Sequence, residues 1–274
     1  MVCDGVWLMV CAGPTESWTS LEYGGRFKLL HYAATRFNAP VTVSSYCLPS
    51  ITNCTGTLFH VKSELLDRFT GTLEVSAVRW ADGFHGAAAT AEVALDSQTG
   101  ASFNYTGAAF LSLLTAAGCD KKNPVSTCFL QARLLSAAGV VRGAASSPDP
   151  ELMAPVNYQW LTLWRDAALT ATRFTITAQP ERASSSATGA VAVTVSSSAV
   201  APYVMVHCGL PTDFGAFDDN GILMLPGESR TLIYTPKAFA PAGEHVPCSQ
   251  AADFYAVSMN GLSTGAQTAV SHPG

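Results

Sequence analysis

Along the 274 residues the pattern of apolar and polar positions changes style near residue 40. Val6 to Cys11 is an unbroken apolar run, as expected of a strand buried on both faces in a parallel sheet. Beyond a loop, Phe27, Leu30, Ala34 and Phe37 recur at helical spacing. That spacing predicts a helix over Leu21–Phe37, stopped by Asn38-Ala39-Pro40. One strand and one helix make a βα unit, which cannot bury its apolar faces alone. From Pro40 onward the period drops to two. Leu73, Val75 and Ala77 alternate with Thr72, Glu74 and Ser76; Phe174, Ile176 and Ala178 repeat the pattern, as do Val191, Val193 and Val195. Turn clusters at Pro49-Ser50, Ala81-Asp82-Gly83 and Asp218 to Gly221 separate such runs. Short alternating strands at this spacing predict β-sandwiches. Ser146 to Pro150 reads as a long loop within the first sandwich. The stretch Trp164 to Thr172 leads into the second, and the polar tail from Ser263 is expected to fray.

Composition removes whole classes of function. Hydrophobic residues make up 48 % of the chain, too many for a disordered one. Charged residues make up 13 %, against ~25 % in an average soluble protein, so Ser, Thr, Gly and Ala must cover much of the surface. A net charge of -5, with no Lys/Arg cluster beyond Lys121-Lys122, argues against a nucleic-acid partner. No apolar run approaches the ~18 residues of a membrane span. The opening MVCDGVWLMVCAG carries Asp4 where a signal peptide has basic residues, and no small-x-small cleavage site follows. It is read as a buried strand, and no signal peptide is expected on this chain.

Eight cysteines are many for a cytosolic protein. No C-x-x-C pair is present, and neither a metal site nor a cofactor is expected. Cys47 with Cys54, and Cys119 with Cys128, bracket short loops of the kind that local disulfides close. The pairing of Cys3, Cys11, Cys208 and Cys248 stays open, with buried free thiols as one alternative. Asn53-Cys54-Thr55 and Asn104-Tyr105-Thr106 are glycosylation sequons. Cysteines and sequons together favour a lysosomal or secreted route. Asp218-Asp219-Asn220-Gly221 lacks the spacing and terminal Glu of a calcium loop and reads as a tight turn. The histidines, from His60 to His272, show no triad pattern. Trp160 and Trp164 read as a packed pair rather than a sugar platform.

The residues themselves carry a family resemblance. The segment SWTSLEYGGRFKLLHYAATRFNAP, Ser17 to Pro40, resembles the end of the catalytic domain of animal-type, lysosomal-like β-mannosidases of glycoside hydrolase family 2. Pro155 to Leu161, Ser198 to Val206, Phe217 to Met224 and the ADFYAVSMNGL stretch are similar to later segments of that family, in the same order. The Cys119–Cys128 loop has a counterpart there too. The resemblance implies a mainly β chain: two Ig-like β-sandwich domains preceded by the last βα unit of a (β/α)8 barrel. Residues 1–40 would be the barrel remnant, 41–170 the first sandwich, 171–265 the C-terminal sandwich, and 266–274 a tail. Retaining enzymes of this family use two Glu residues at the ends of barrel strands four and seven, as acid/base and nucleophile. Both would lie upstream of Met1, so no catalytic residue is assigned. Glu22 resembles the family nucleophile's surroundings, but by alignment it opens the last barrel helix, where a carboxylate suits the helix N-terminus. Trp7 matches an aromatic of the family's strand-eight motif and is the one substrate-binding candidate, with a place in the core as its favoured alternative reading. The residues that follow, Leu8 to Gly13, depart from that motif.

Two functions of different class follow. The chain is the C-terminal accessory region of a β-mannosidase-like hydrolase, inactive alone. It would pack against its own catalytic domain and meet β-mannoside glycans only through that barrel. Alternatively it is a stand-alone, non-catalytic Ig-like protein that binds a glycan or a protein. The βα unit at Val6 to Phe37 favours the first.

Overall fold

The computed structural model describes residues 26–136, 153–181, 189–237, 245–260 and 270–271. Trp7, Glu22, Cys3, Cys11, the Val6–Cys11 strand and the Ser146–Pro150 loop lie outside the described residues. The chain divides into two compact units, 35–168 and 169–274 together with 1–34.

In the unit 35–168, β1 (Val41–Ser50), β2 (Asn53–Ser63) and β5 (Gly100–Thr106) form a three-stranded antiparallel sheet in the order β1-β2-β5. A second sheet runs β4-β3-β6-β7, from β3 (Phe69–Arg79), β4 (Ala89–Leu95), β6 (Cys128–Ser136) and β7 (Asn157–Trp160). Period-two alternation explains the burial. Leu73, Val75 and Ala77 are fully buried and meet Phe59, Val61, Leu130 and Leu134 in one core. On the opposite face Glu74 and Arg133 stand directly across the β3–β6 ladder and pair at 3.3 Å. That face ends in an aromatic cluster: Trp80 packs on Phe129 (4.3 Å between centroids), and Trp160 on Trp164 (4.8 Å). The two tryptophans four residues apart are therefore a packed pair.

One element of this unit carries no strand pattern. Gly107–Ala116 is a helix of apolar, small and hydroxyl residues. It buries Phe110, Leu113 and Leu114 in the core. Its end is a Schellman motif: Gly118, at φ +68°, donates to Thr115 O, and Cys119 N–H donates to Leu114 O. Glycine takes that left-handed backbone without a Cβ penalty. The same turn delivers Cys119 to Cys128, which directly follows the short helix Pro124–Thr127.

In the other unit, a five-stranded sheet has the order β11-β13-β9-β8-β15. Its strands are β8 (Phe174–Pro180), β9 (Val191–Ser197), β11 (Ala216–Phe217), β13 (Ser229–Thr235) and β15 (Val270–Ser271). A three-stranded sheet, β12-β10-β14, is built from β10 (Ala201–Cys208), β12 (Ile222–Met224) and β14 (Phe254–Val257). Phe174, Ile176, Val193, Val195, Val204, Phe254 and Tyr234 fill the core. Thr194 and Thr231, opposite each other on β9 and β13, share a hydroxyl hydrogen bond at 2.8 Å on the outer face.

Two expectations need correction. The helix predicted over Leu21–Phe37 spans only Leu29–Phe37 among the described residues, and Arg26 to Lys28 precede it without helical structure. Its most buried residue is Tyr32, not the Phe27/Leu30/Ala34/Phe37 stripe, and Phe37 is 60 % exposed. The helix packs by Leu29 and Tyr32 on the C-terminal sandwich, so the sandwich surface selects which side is covered. Second, the tail expected to fray contributes Val270–Ser271, paired in parallel with Phe174 and Thr175. An edge strand with open N–H and C=O groups recruits such a partner whatever its polarity. The Trp164–Thr172 stretch does lead into β8, with a single turn of 3-10 helix at Trp164–Asp166.

Candidate functional site

The short-range cysteine pairs are linked in the structure. Cys47–Cys54 ties the β1–β2 hairpin, and Cys119–Cys128 joins the helix end to β6. A third bond, Cys208–Cys248, closes a separation of 40 residues. The sequence left these last two cysteines unassigned, since a distant pair shows no local spacing signal. Closing so long a loop restricts the unfolded chain most, by about 4 kcal/mol on the chain-entropy account. Non-reducing peptide mapping of material made in an oxidising compartment is expected to recover all three links. Full alkylation of Cys208 and Cys248 in the folded, unreduced chain would contradict it.

Around Cys248 the chain builds a polar node inside an otherwise apolar unit. The Asp213 side chain is fully buried. Its Oδ1 accepts from the N–H of Gly215 (3.1 Å) and of Lys237 (2.8 Å), and its Oδ2 from the N–H of Cys248 (2.8 Å). One carboxylate thus fastens the turn after β10, the end of β13 and the segment bearing the third disulfide. Gly215 is required where it stands: a Cβ there would lie 2.3 Å from Thr235 O and 2.4 Å from Tyr234 Oη. Burial pushes the Tyr234 hydroxyl far above its usual range, and the Asp213 charge works in the same direction. His245 Nε2 lies 3.6 Å from Asp213 Oδ1, too far for a hydrogen bond. That nitrogen is buried and has no hydrogen-bond partner. The sequence reading found no His at ligand spacing from a cysteine, yet His245 stands three residues before Cys248.

A second polar cluster sits where the N-terminal segment meets the same sandwich. Arg26 lies over the Phe214 ring at 4.9 Å, and Tyr32 Oη donates to Phe217 O at 3.5 Å. With His207, Asn220 and Tyr234 they line a small recess. Burial, with the Arg26 guanidinium adding to it, holds the His207 imidazole down at about 4. The His207 ring stacks on Tyr255, with centroids 5.1 Å apart. Asp218 to Gly221 is a tight turn. Asp218 accepts from Ile233 N–H, while the buried Asn220 amide both accepts from Val206 N–H and donates to Val206 O at 2.8 Å. Gly221 completes it at φ +62°. Asp218 and Asn220 thus hold backbone of the neighbouring strands β13 and β10 to the turn.

Asn53 and Asn104 are both exposed, the first at the β1–β2 turn and the second on the edge strand β5. No helix among the described residues is long and apolar enough to cross a membrane.

With this geometry in place, likeness to known proteins becomes informative. Residues 172–246 match the family of mannosidase Ig-fold domains. Over 229 residues the chain is 30 % identical to rat β-mannosidase, covering 80 % of this chain and 22 % of that protein. Goat β-mannosidase is 29 % identical over 231 residues, with the same coverage. The chain therefore spans about a fifth (22 %) of the length of these relatives. Among solved structures, a β-D-mannosidase from Dictyoglomus thermophilum superposes with a TM-score of 0.55 at 12 % identity, covering 88 % of this chain and 24 % of its own. An exo-chitosanase of Amycolatopsis orientalis gives 0.52 at 16 % identity, covering 88 % and 29 %. At such identities these two speak for the fold, a mainly β architecture of Ig-like sandwiches. The chain is thus similar in sequence to animal β-mannosidases over about a fifth (22 %) of their length, contains one mannosidase Ig-fold domain, and shares its mainly β fold with solved glycoside-hydrolase structures.

Proposed function

We propose that the chain is the C-terminal accessory region of a β-mannosidase-like glycoside hydrolase. It would pack against a catalytic barrel and serve hydrolysis of terminal β-D-mannosides of oligosaccharides and N-glycan fragments only through it. The similarity to rat β-mannosidase over 229 residues carries this reading. Retaining hydrolysis needs two carboxyl groups about 5–5.5 Å apart across the scissile bond. Five acidic side chains of the described sandwiches have structural partners: Asp213, Asp218 and Asp253 hold backbone N–H groups, and Asp82 and Glu74 pair with arginines. Residues 1–40 are proposed as the last βα unit of the barrel, with 41–170 and 171–265 as the sandwiches that buttress it. Trp7 is the substrate-facing candidate of that unit. The three disulfides support an oxidising, secretory or lysosomal setting, where the exposed Asn53 and Asn104 would accept glycans.

The test is direct. The purified 274-residue chain is expected to release no nitrophenol from p-nitrophenyl β-D-mannoside above a buffer blank. Turnover that Glu22→Gln abolishes would overturn the accessory reading and make Glu22 catalytic. Calorimetric binding of mannobiose by the chain alone would instead favour a stand-alone glycan-binding protein.

A further inference from the structure

The outer face of the β1-β2-β5 sheet carries an apolar row that ends in a glycosylation sequon. Side chains alternate across this sheet, so Val43, Phe59, Val61 and Tyr105 enter the core while their neighbours face outward. The ladder sets Tyr46 opposite Leu58, and Leu58 opposite Asn104. Tyr46 is 54 % exposed, Leu58 is half-buried and Asn104 is exposed. The next outward row is polar: Ser44, His60 and Ser102, with His60 Nδ1 and Ser102 Oγ sharing a hydrogen bond at 3.0 Å. On the other side Gly56 lies between Leu48 and Thr106, where a Cβ would come within 2.8 Å of the Thr106 methyl group. Side chains directly opposite stand about 5 Å apart, so Tyr46, two strands away, is about 10 Å from Asn104. The Asn53 sequon is set differently. It lies across from Ser50 at the hairpin turn, where Ser50 and Thr52 bond through their hydroxyls and Thr55 donates to Leu48 O.

We propose that this face is the seat of an N-glycan on Asn104, whose first N-acetylglucosamine lies over Leu58 and Tyr46. The inference rests on the secretory setting proposed above, where such sequons are modified. There the Asn104 amide nitrogen bonds to the anomeric carbon of a lipid-diphosphate-linked oligosaccharide. The sugar's C–O bond to the diphosphate breaks, and the nitrogen loses one proton. The C–H face of the sugar ring then covers apolar surface that Tyr46 and Leu58 otherwise leave in water. A free sugar would hold so small a patch weakly, but the covalent tether keeps it at high effective concentration. The row itself is uncharged, and the Lys62–Glu64 ion pair lies beyond the polar row of His60. The glycan on Asn104 is therefore a structural cover for the sandwich, whereas one on Asn53 would project from a polar turn.

The test uses the full chain, secreted behind a cleavable leader from cells that leave high-mannose glycans. Glycopeptide mapping is expected to find Asn104 occupied. Urea unfolding should give an unfolding constant about fivefold or more below that of Asn104→Gln. Trimming by an endoglycosidase to a single N-acetylglucosamine should keep that advantage, since the first sugar makes the contact. Asn53→Gln should change little. In a Tyr46→Ser background the glycosylated chain and Asn104→Gln should unfold alike. The trimmed protein should also show nuclear Overhauser contacts between the sugar and the Tyr46 ring; if Asn104→Gln does not fold, these contacts decide. Equal stability with and without the Asn104 glycan, or a sugar without contact to Tyr46, would overturn the proposal. So would self-association through this face that Tyr46→Ser abolishes, which would make a second copy the occupant. Three formed disulfides with Asn104 unmodified would sink the proposal and leave the secretory setting standing; free thiols in the secreted chain would sink both.

Discussion

Replacing Asp213 by Ala is expected to destabilise the C-terminal sandwich by about 3–5 kcal/mol, a large share of the total stability of a domain. The substitution leaves the N–H groups of Gly215, Lys237 and Cys248 without their acceptor, two of them at 2.8 Å in the native chain. Each buried donor left unpaired costs about 1–3 kcal/mol. Part of that is offset, because the carboxylate no longer has to be desolvated. Asp213→Asn keeps one oxygen for Gly215 and Lys237 but turns an NH2 group toward the Cys248 N–H, so an intermediate loss is expected. Urea unfolding followed by far-ultraviolet circular dichroism, compared with the unsubstituted chain, orders the three proteins. A loss below about 1 kcal/mol for Asp213→Ala would show that the node is not what fastens these segments.

Acid is expected to weaken the same unit through His207. Its imidazole titrates at about 4 in the folded chain, against 6.5 ordinarily, because it is buried beside Arg26. The unfolded chain therefore binds the proton first as pH falls. Stability is fullest above about 6.5, declines between 6.5 and 4, and levels off below. One group contributes at most about 1.4 kcal/mol per pH unit, which sums to about 3 kcal/mol across that window. His207→Phe keeps an aromatic ring against Tyr255 and removes the titration. The difference in unfolding free energy between the two proteins should grow in favour of the variant from pH 6.5 to 4. A difference independent of pH would show that His207 is solvated enough to stay protonated in the fold. An acidic working compartment would make this acid limb part of the protein's normal condition.

The strands were readable from the chain because their cause is local. Leu73, Val75 and Ala77 face one side by the geometry of an extended backbone, and the structure buries all three fully. The Asp218–Gly221 turn was readable for the same reason: short side chains bond to backbone a residue or two away. Gly107–Ala116 was not, since an apolar stretch with Gly at its start shows neither a clean helical stripe nor a capping box. Its helical state is settled by Phe110, Leu113 and Leu114 finding the sandwich core.

The order of family segments, the alternation of the strands and the short cysteine spacings belonged to the sequence by itself, because each depends on residues close together in the chain. The covered side of the Leu29–Phe37 helix and the Cys208–Cys248 link depended on the tertiary structure. So did the gathering of Asp213, Lys237, His245 and Cys248 around one carboxylate. A buried charge is tolerated only where partners from distant segments meet it, and no periodicity in the chain records that meeting.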